Sequence, residues 1–333
     1  MKPILITGGA GYIGSHAVKL FLEKGFPVVV LDNFFRGYHE PLEILGKLGN
    51  LSVEEVDLLD APAVNAVFKK HDIGAVLNFA ALCLVNESVE QPELYMKNNV
   101  EGTRNLLEAM REANVMSLIF SSTCAVYGET KTLPVDEQHS TNPVNPYGES
   151  KLLAENLIRE YGVNYGLRSV IFRYFNVCGA AIDGTIGDSK RPSQLLVQNA
   201  VRGAMGIEPF AYTCGVVDTP DGSPIRDYID VEDLVQAHFL GYEYLEKGGQ
   251  SSLFNLGNGR GYSVKEIVAE VEKTFGTTMQ KAQAEPRKGE YAWIYADPRQ
   301  AKATLGFTPT KTLVQSIESL KKWYTGHPNG YSN

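Results

Sequence analysis

The chain has 333 residues, of which 44% are hydrophobic and 21% are charged. These values are close to the average for globular proteins, so they exclude a largely disordered chain and predict one large domain or two of ordinary size. The net charge is −8 and the 31 Lys and Arg residues are scattered, which argues against a nucleic-acid partner.

Short β-rich runs alternate with amphipathic helical stretches over the first half of the chain. The predicted strands span residues 4–7, 28–32, 51–56, 75–79, 117–121 and 167–172. The predicted helices span residues 15–24, 61–70, 99–112 and 146–161. Strands that alternate with helices are typical of parallel βαβ units covered by helices on both faces. We therefore predict an α/β fold with a doubly wound parallel sheet of the Rossmann type over residues 1–175.

The regular alternation ends near Asn176. A Gly-, Pro- and Asp-rich region follows over 179–192, then a helix-like stretch and an irregular segment over 214–224. Residues 263–275 and 312–324 are again helical in pattern. We predict that residues 176–333 form mainly a smaller α/β substrate domain, with a segment from about 225 to 245 returning to the first domain.

The cysteines and the N-terminus indicate the kind of compartment. The chain has four cysteines without any C-x-x-C pair, and no His-rich tract accompanies them. This pattern argues against a structural metal site, and a chain of this length does not need a disulfide framework. The sequence starts without an apolar signal region, and no apolar run approaches the length of a membrane span. We expect free thiols, no metal, no membrane partner and a cytoplasmic location.

The first predicted strand leads into a glycine-rich turn and a helix start. Gly8, Gly11 and Gly14 have the spacing G-x-x-G-x-x-G, and the stretch from Gly9 also fits G-x-G-x-x-G. Glycines at this spacing allow a tight turn and a close approach of the backbone to a pyrophosphate, and the following helix N-terminus favours phosphate charge. An ordinary glycine turn fits these residues equally well, so the surrounding sequence has to decide.

Residues at the ends of the next strands point to a dinucleotide. Asp32 ends the second strand, where a carboxylate meets the adenosine ribose and favours NAD over NADP by repelling a 2′-phosphate. Asp57 and Leu58 follow the third strand, where adenine usually rests, although Asp57 is equally compatible with a helix cap. The fourth strand closes on residues where the backbone can approach a cofactor, namely Phe79, Ala80 and Ala81.

Tyr147 and Lys151 are the candidate catalytic pair. Asn145 and Pro146 are suited to the cap and first turn of a helix, and a spacing of four residues puts both side chains on one face of it. Lowering the pKa of a tyrosine from about 10 to about 7 needs roughly 4 kcal/mol. A cation about 4 Å away supplies about that much at an effective dielectric of 20. Tyr-x-x-x-Lys alone is a frequent accident on helix surfaces, but after a nucleotide fingerprint the functional interpretation is favoured.

Thr123 follows the predicted strand at 117–121. Loops at the carboxyl ends of such strands build ligand sites in open α/β sheets. We predict that its hydroxyl shares a proton with Tyr147; the alternative is a turn residue at the end of a strand.

With these motifs together, the chain resembles the extended short-chain dehydrogenase/reductase family, and within it the UDP-glucose (UDP-galactose) 4-epimerases. The resemblance runs from Ile4 to about Trp323. The segments that carry it, besides the Tyr147 motif, are residues 7–16, 87–88, 98–103, 120–123, 173–180, 220–228 and 254–259.

The resemblance implies a tightly held NAD⁺, a UDP-sugar substrate and no net redox change. Tyr147 would take the proton from the sugar 4-OH while hydride passes to the nicotinamide, and the 4-keto sugar would turn and take the hydride back on its other face. Lys151 would bind the nicotinamide ribose and lower the Tyr147 pKa, and Thr123 would hydrogen-bond the sugar O4.

The resemblance also implies further contacts and a homodimer formed through helices that include the one with Tyr147. The additional cofactor contacts that it implies are Tyr12, Ile13, Asn33, Asn98, Asn99, Ser121, Ser122 and Tyr174. On the substrate side it implies Asn176, Arg226, Arg287 and Glu290. The two arginines would neutralise the diphosphate, a role suited to the guanidinium fork, with a surface ion pair as the alternative.

The chain departs from its relatives in three places. Pro192-Ser-Gln-Leu-Leu196 replaces the runs that many relatives carry on the substrate side, which leaves the uridine contacts around Ser193 and Gln194 open. Ile294 stands where some relatives have a tyrosine that restricts the sugar pocket, so a bulkier N-acetylated sugar is an alternative. Cys83 stands where close relatives often have a lysine that contacts the cofactor.

Two kinds of alternative stay open. One is 4-epimerisation of another UDP-sugar, namely an N-acetylhexosamine, a pentose or a uronate, and decarboxylation is a further option on this scaffold. The other is a non-catalytic dinucleotide sensor, which would keep the fold without the chemistry. A dehydratase is disfavoured, because Cys124 and Ala125 stand where that class has an Asp-Glu pair for acid–base work.

Overall fold

The computed structural model describes residues 1–190, 193–285 and 291–332. Its strands are β1 (Ile4–Thr7), β2 (Val28–Asp32), β3 (Leu51–Glu55), β4 (Ala75–Asn78), β5 (Ser117–Ser121), β6 (Arg168–Tyr174), β7 (Asn176–Cys178), β8 (Phe210–Tyr212), β9 (Ile225–Asp230), β10 (Ser252–Leu256), β11 (Gly261–Ser263), β12 (Lys281–Gln283) and β13 (Trp293–Ile294). Its helices are α1 (Tyr12–Glu23), α2 (His39–Leu45), α3 (Ala61–Lys70), α4 (Val85–Glu90), α5 (Pro92–Tyr95), α6 (Gly102–Glu112), α7 (Pro146–Tyr165), α8 (Leu196–Ala204), α9 (Val231–Glu246), α10 (Val264–Phe275), α11 (Arg299–Leu305) and α12 (Leu313–Gly326).

Seven parallel strands form the main sheet in the order β10-β6-β5-β4-β1-β2-β3. The predicted doubly wound α/β fold is therefore confirmed. Ile4 and Ile6 of β1 pack in the core layer that contains α1 and α9, whereas Leu5 packs in the layer that contains α3, α6 and α7. Because both faces are covered, the strands are nearly continuous apolar runs, as is usual for parallel sheets.

Helix boundaries follow local capping chemistry. The helix α1 begins at Tyr12, three residues before the predicted start, because Gly11 already has the extended backbone of a helix cap. Asn145 caps α7 by accepting a hydrogen bond from the Gly148 N–H at 2.9 Å, and α7 ends at Gly166, whose φ of +77° fits glycine. The predicted helix at 99–112 corresponds to α6 together with a π-helical segment, Met96–Glu101.

The second half of the chain contributes to both parts of the molecule. The strand β10, for which the sequence analysis gave no prediction, pairs with β6 at the edge of the main sheet, and α9 packs against α1. The strands β7, β11 and β13 pair with β9 in a small mixed sheet, and β8 pairs with β12. The helical patterns at 263–275 and 312–324 correspond to α10 and α12, each of which begins with a capping box.

Candidate active site

A cavity of about 400 Å³ lies at the carboxyl ends of β1, β2, β4, β5 and β6. This is the edge of a parallel sheet at which doubly wound folds bind ligands. The site residues predicted from the sequence that line it are Gly8, Gly11, Tyr12, Ile13, Gly14, Asp32, Asn33, Leu58, Phe79, Ala80, Ala81, Asn98, Ser121, Thr123, Tyr147, Lys151, Tyr174 and Asn176. The cavity thus brings the glycine-rich turn and the candidate catalytic pair to one place.

The glycine-rich turn is packed so closely that larger residues do not fit. Gly8 has a φ of +70°, and a Cβ added to it would lie 2.7 Å from the backbone nitrogen of Ala80 at the end of β4. A Cβ on Gly14 would overlap the carbonyl oxygen of Gly8. The glycines therefore bring the N-terminus of α1 against β1 and β4, which leaves the backbone N–H groups of the helix start facing the cavity, as a pyrophosphate requires.

Replacement of Gly8 by Ala is expected to lower the free energy of unfolding by about 3 kcal/mol or more and to reduce dinucleotide binding. The left-handed backbone contributes about 1–2 kcal/mol of this, and the contact with Ala80 contributes the rest. Gly25→Ala is the matched control, because Gly25 has a φ of +81° and open space around the added Cβ. Urea unfolding and cofactor titration of both variants test this; equal losses for both would contradict the close-approach argument.

Asp32 is held at the end of β2 by two backbone groups. Its carboxylate accepts hydrogen bonds from the Ala10 and Phe34 N–H groups, both at 2.9 Å. Burial raises the pKa of Asp32, and the two hydrogen bonds act in the opposite direction by stabilising its charged form. A carboxylate fixed in this way at the cavity wall is placed to accept hydrogen bonds from the two hydroxyls of a ribose.

Asp57 does not line the cavity, but it supports a residue that does. Its carboxylate accepts hydrogen bonds from the side-chain amide of Asn33 at 2.9 Å and from the Leu59 N–H at 2.8 Å. The cap of α3 is Asp60, which accepts from the Ala63 N–H at 3.0 Å, so Asp57 is not a helix cap. Asp57 thus orients Asn33 beside Asp32.

The candidate catalytic pair lies on the first two turns of α7. Tyr147 and Lys151 share one helix face, and the side chain of Thr123 hydrogen-bonds Tyr147 across the cavity. The Lys151 ammonium lies 4.3 Å from the centre of the Phe120 ring, a cation–π contact that holds it at the end of β5. The predicted grouping of Tyr147, Lys151 and Thr123 is therefore present in the geometry.

Burial dominates the acid–base properties of this pair. It raises the pKa of Tyr147 well above 10, while the hydrogen bond with Thr123 acts in the opposite direction. It lowers the pKa of Lys151 to about 8. A dry site disfavours both charged forms, so the chain alone does not produce the low tyrosine pKa expected from the sequence. The expectation from the sequence counted the charge of a nearby cation but not the full cost of burying the phenolate.

Three other predicted site residues lie beside the cavity rather than in its wall. Asn99 is buried and holds the loop after β4, since its side chain bonds both the N–H and the carbonyl of Leu82 at 2.8 and 3.0 Å. Ser122 is buried and donates a 2.5 Å hydrogen bond to Glu155 on α7. The guanidinium of Arg226 donates to the Ile225 carbonyl at 2.9 Å. Arg287 and Glu290 lie outside the described residues.

Several residues line the cavity that the site prediction did not include. The main ones are Arg36, Gly37, Cys83, Leu84, Asn86, Phe175, Lys190, Gln194 and Leu195. Arg36 and Gly37 lie four and five residues after Asp32, so the dinucleotide motif could have been used to predict that they line the cavity. No pattern in the sequence predicted the position of Lys190, because this position depends on how the irregular segment after β7 folds back.

The three departures from the relatives also have definite places. Ile294 is buried in a small apolar cluster with Phe175, and Phe175 in turn lines the cavity. Gln194 lines the cavity, and Cys83 does so with the Lys190 ammonium 3.6 Å from its sulfur. Ile294 is thus placed to affect the cavity through Phe175.

Neither a membrane-spanning helix nor a cluster of metal-binding side chains is found among the described residues. Over residues 1–190, 193–285 and 291–332, no helix is both long and apolar enough to span a bilayer. In the same ranges, His, Cys, Asp and Glu side chains form no group of three or more that could hold a metal ion.

Comparisons with known proteins agree with this geometry. Residues 4–257 match the sequence profile of a family described as the NAD dependent epimerase/dehydratase family. The chain is 42% identical over 331 residues to the UDP-glucose 4-epimerase of Halalkalibacterium halodurans, covering 99% of this chain and 97% of that protein. It is 40% identical over 341 residues to the putative UDP-arabinose 4-epimerase 2 of Arabidopsis thaliana, covering 99% and 81%. The crystal structure of UDP-glucose 4-epimerase from Brucella ovis in complex with NAD is similar with a TM-score of 0.91 and 39% identity, covering 99% of each chain.

Proposed function

The chain belongs to the NAD dependent epimerase/dehydratase family, and from this premise we propose that it epimerises C4 of a UDP-hexose, interconverting UDP-glucose and UDP-galactose. The observation that carries the proposal is the convergence of Tyr147, Lys151 and Thr123 on the same cavity as the glycine-rich turn and Asp32. A redox-neutral isomerisation needs a base beside a bound dinucleotide, and this cavity can hold both.

The residues present fit NAD as the resident cofactor. The turn at Gly8 and Gly14 has no room for side chains and therefore brings backbone N–H groups to the cavity, and Asp32 is fixed for a ribose diol. The same carboxylate would repel a 2′-phosphate, which favours NAD over NADP. When bound, NAD supplies a reversible acceptor for hydride from the sugar carbon.

The chain's own residues handle the proton. Tyr147 takes the proton of the sugar 4-OH and later returns it, and Thr123, already hydrogen-bonded to Tyr147, holds the sugar O4 beside it. Lys151, four residues further along α7, stabilises the phenolate by its charge. Because Tyr147 and Lys151 are buried, this charge acts at a lower effective dielectric than it would in water.

The sugar must present both faces of C4 to the same base, so its diphosphate has to stay anchored while the ring turns. We assign this anchor to Arg226 and Arg287, with Asn176 and Glu290 as further substrate contacts. Arg226 and Asn176 lie on adjacent paired strands, β9 and β7, which supports a shared role at this end of the site. In the same way, we propose that residues 1–175 with the segment from about 225 to 245 bind NAD, and that residues 176–333 bind mainly the UDP-sugar.

The preferred sugar is set, in this proposal, by the wall behind Phe175. Ile294→Tyr is expected to lower activity on UDP-N-acetylgalactosamine more than on UDP-galactose, because a larger side chain in the tight cluster around Phe175 pushes that wall inward. The ratio of kcat/KM for the two substrates measures the effect. Ile294→Val, which keeps the branched shape, is the control and should leave the ratio unchanged. An equal loss on both substrates in the tyrosine variant would reject a role for Ile294 in selecting the sugar.

The cytoplasmic location of the chain stays a prediction.

We also propose that the chain forms a homodimer through α7 and the adjoining helices α4 and α5. Leu153 on α7 is 40% exposed, and Val89 and Leu94 on the adjoining helices α4 and α5 are 60% and 36% exposed. Sedimentation should give twice the chain mass of 36.6 kDa. Leu153→Lys should shift the protein towards the monomer, whereas Val216→Lys, at a fully exposed loop residue, should not. A wild-type monomer at micromolar concentration would contradict the proposal.

The proposed function is tested by following purified protein with UDP-sugars by NMR without added cofactor. The panel is UDP-galactose, UDP-N-acetylgalactosamine, UDP-xylose and UDP-glucuronate. Conversion of UDP-galactose to its 4-epimer at the fastest rate is the expected result. Faster conversion of another sugar would reassign the substrate, and NAD binding without any conversion would favour the non-catalytic sensor.

A further inference from the structure

Two cationic side chains enter the cavity from different parts of the chain and converge on Cys83. Arg36 comes from the segment after β2, and Lys190 comes from the segment after β7. We call Arg36, Glu87, Cys83 and Lys190 the cation cluster.

Arg36 is fixed by one half of its guanidinium and leaves the other half free for a ligand. Its Nη2 donates to both carboxylate oxygens of Glu87, at 2.5 and 2.6 Å. Glu87 is held in turn by the hydroxyl of Tyr95 at 2.7 Å. The second amino group of Arg36, Nη1, is buried and has no hydrogen-bond partner among the described residues. A buried donor of this kind is costly unless a ligand satisfies it.

The position of this ion pair relates it to the glycine-rich turn. Arg36 follows β2 and Glu87 lies on α4 after β4, and these two strands flank β1 in the sheet. The Arg36–Glu87 pair therefore connects the loops on either side of the turn that follows β1. The segment that carries Arg36 lies against this turn, since a Cβ added to the neighbouring Gly37 would lie 2.6 Å from the Cβ of Ala10.

Lys190 comes from the segment after β7 and is positioned by its neighbours. Its ammonium lies 3.6 Å from the Cys83 sulfur, in the loop after β4. The adjacent Ser189 accepts a hydrogen bond through its carbonyl from the Tyr38 hydroxyl at 3.0 Å. Tyr38 follows Arg36 by two residues, so the two segments that carry the cations are tied to each other.

We propose that Arg36 and Lys190 clamp the diphosphate of the bound dinucleotide, closing over it from the side opposite the N-terminus of α1. The proposal rests on the proposed function, which supplies NAD as the dinucleotide. The Lys190 ammonium has the Cys83 thiol at hydrogen-bond distance and the Asp188 carboxylate as a neighbouring charge. A diphosphate would give this ammonium an anionic hydrogen-bond partner and would offer acceptors to the buried Arg36 Nη1. The N–H groups of α1 would bind the same diphosphate from below.

The nucleotide-sugar diphosphate has the same chemistry, but the geometry favours the dinucleotide. Arg36 lies four residues beyond Asp32, at the ribose end of the cavity, and its partner Glu87 follows the strand next to the glycine-rich turn. Arg226, assigned to the nucleotide sugar, lies on β9 in the other sheet. The clamp also predicts slow release of NAD, because the segments that carry Arg36 and Lys190 are linked by the Tyr38–Ser189 hydrogen bond and have to separate first.

The test is the rate at which labelled NAD⁺ leaves the purified holoenzyme during a chase with unlabelled NAD⁺. Lys190→Gln and Arg36→Gln should each release NAD⁺ about 10- to 100-fold faster, the loss expected for one charge-assisted hydrogen bond. Lys190→Arg, which keeps the charge, should stay within about threefold of wild type. Lys247→Gln, at an exposed lysine that directly follows α9, is the matched control and should not change the rate.

Two further measurements show whether the cations bind the diphosphate of NAD⁺ or that of the UDP-sugar, and whether the clamp or the proposed reaction is wrong. UDP binding to the holoenzyme, measured by calorimetry, should be unchanged in Lys190→Gln and Arg36→Gln. Unchanged NAD⁺ release in both variants would overturn the clamp, and weakened UDP binding with unchanged NAD⁺ release would assign the cations to the other diphosphate. If Arg36→Gln fails to fold because Glu87 loses its partner, Lys190→Gln alone decides. A wild type that holds NAD⁺ but converts no UDP-sugar would sink the proposed reaction and leave this test intact.

Discussion

Tyr147→Phe is expected to lower turnover of UDP-galactose by about two to four orders of magnitude while NAD stays bound. The substitution removes only the hydroxyl that, in the proposed mechanism, exchanges a proton with the sugar. General acid–base catalysis typically contributes rate factors of this size. The phenyl ring still fills the same place against Tyr95, so the cavity keeps its shape. Initial rates by NMR and cofactor content after denaturation measure the two effects separately.

The control for this prediction is on the same helix. Tyr165→Phe removes a hydroxyl from a half-exposed tyrosine at the last turn of α7 and should change neither rate nor cofactor content. Near-normal turnover in Tyr147→Phe would remove the tyrosine from the mechanism. Loss of NAD together with activity would instead mean that the hydroxyl mainly holds the cofactor.

Arg173→Met is expected to lower the free energy of unfolding by about 3–5 kcal/mol, which is the usual effect of removing one partner from a buried ion pair. Arg173 on β6 donates two hydrogen bonds to Glu155, at 2.9 and 2.6 Å, and both side chains are buried. Glu155 also accepts from Ser122 at 2.5 Å. Without Arg173 the Glu155 carboxylate stays in the core with much of its compensation removed. Urea denaturation at neutral pH measures the loss.

Arg159→Met separates this effect from the general loss of a positive charge. Arg159 donates to the same Glu155 carboxylate at 2.8 Å, but its side chain is 45% exposed. An ion pair of that kind contributes about 0–1 kcal/mol, so the control should lose little stability. Similar losses of unfolding free energy in both variants would show that the burial of Arg173 does not make its ion pair more stabilising than the exposed one.

One face of α7 carries Tyr147, Lys151 and Glu155 at intervals of four residues. This spacing links the predicted effect of Tyr147→Phe on activity to the predicted effect of Arg173→Met on stability. Glu155 attaches the helix to β6 and to the loop after β5, while the two preceding positions face the cavity. The rotation of α7 about its axis is therefore fixed by a buried ion pair one turn away from Lys151. We expect Arg173→Met to lower activity as well as stability.

The parts of the fold that the sequence predicted have strong local signals. β1 is a continuous apolar run followed by glycines, and its bounds were predicted to the residue. The N-terminal ends of α10 and α12 have capping boxes that depend only on residues three apart. The strand β10 was missed, because its short run Ser252–Leu256 becomes a strand only by pairing with β6 some eighty residues earlier in the chain.

The same distinction applies to the candidate site. Gly8, Asp32 and Tyr147 belong to motifs whose spacing is set by one turn or one helix, and all three line the cavity. The predicted cofactor contact Ser122 donates to Glu155, a partner that only the packing of α7 on the sheet could identify. Lys190 reaches the cavity through a segment without regular structure, so no periodicity in the sequence pointed to it.

The return of the chain to the main sheet limits how this enzyme can be rebuilt. Because β10 completes the sheet and α9 covers one of its faces, a fragment ending near residue 175 would expose the edge of β6 and half of a core layer to water. Exchange of the second half with that of a relative, as a way to change the sugar, would replace this strand and helix as well. Engineering of the sugar pocket is therefore better confined to loop segments and single wall residues than attempted by recombination of halves.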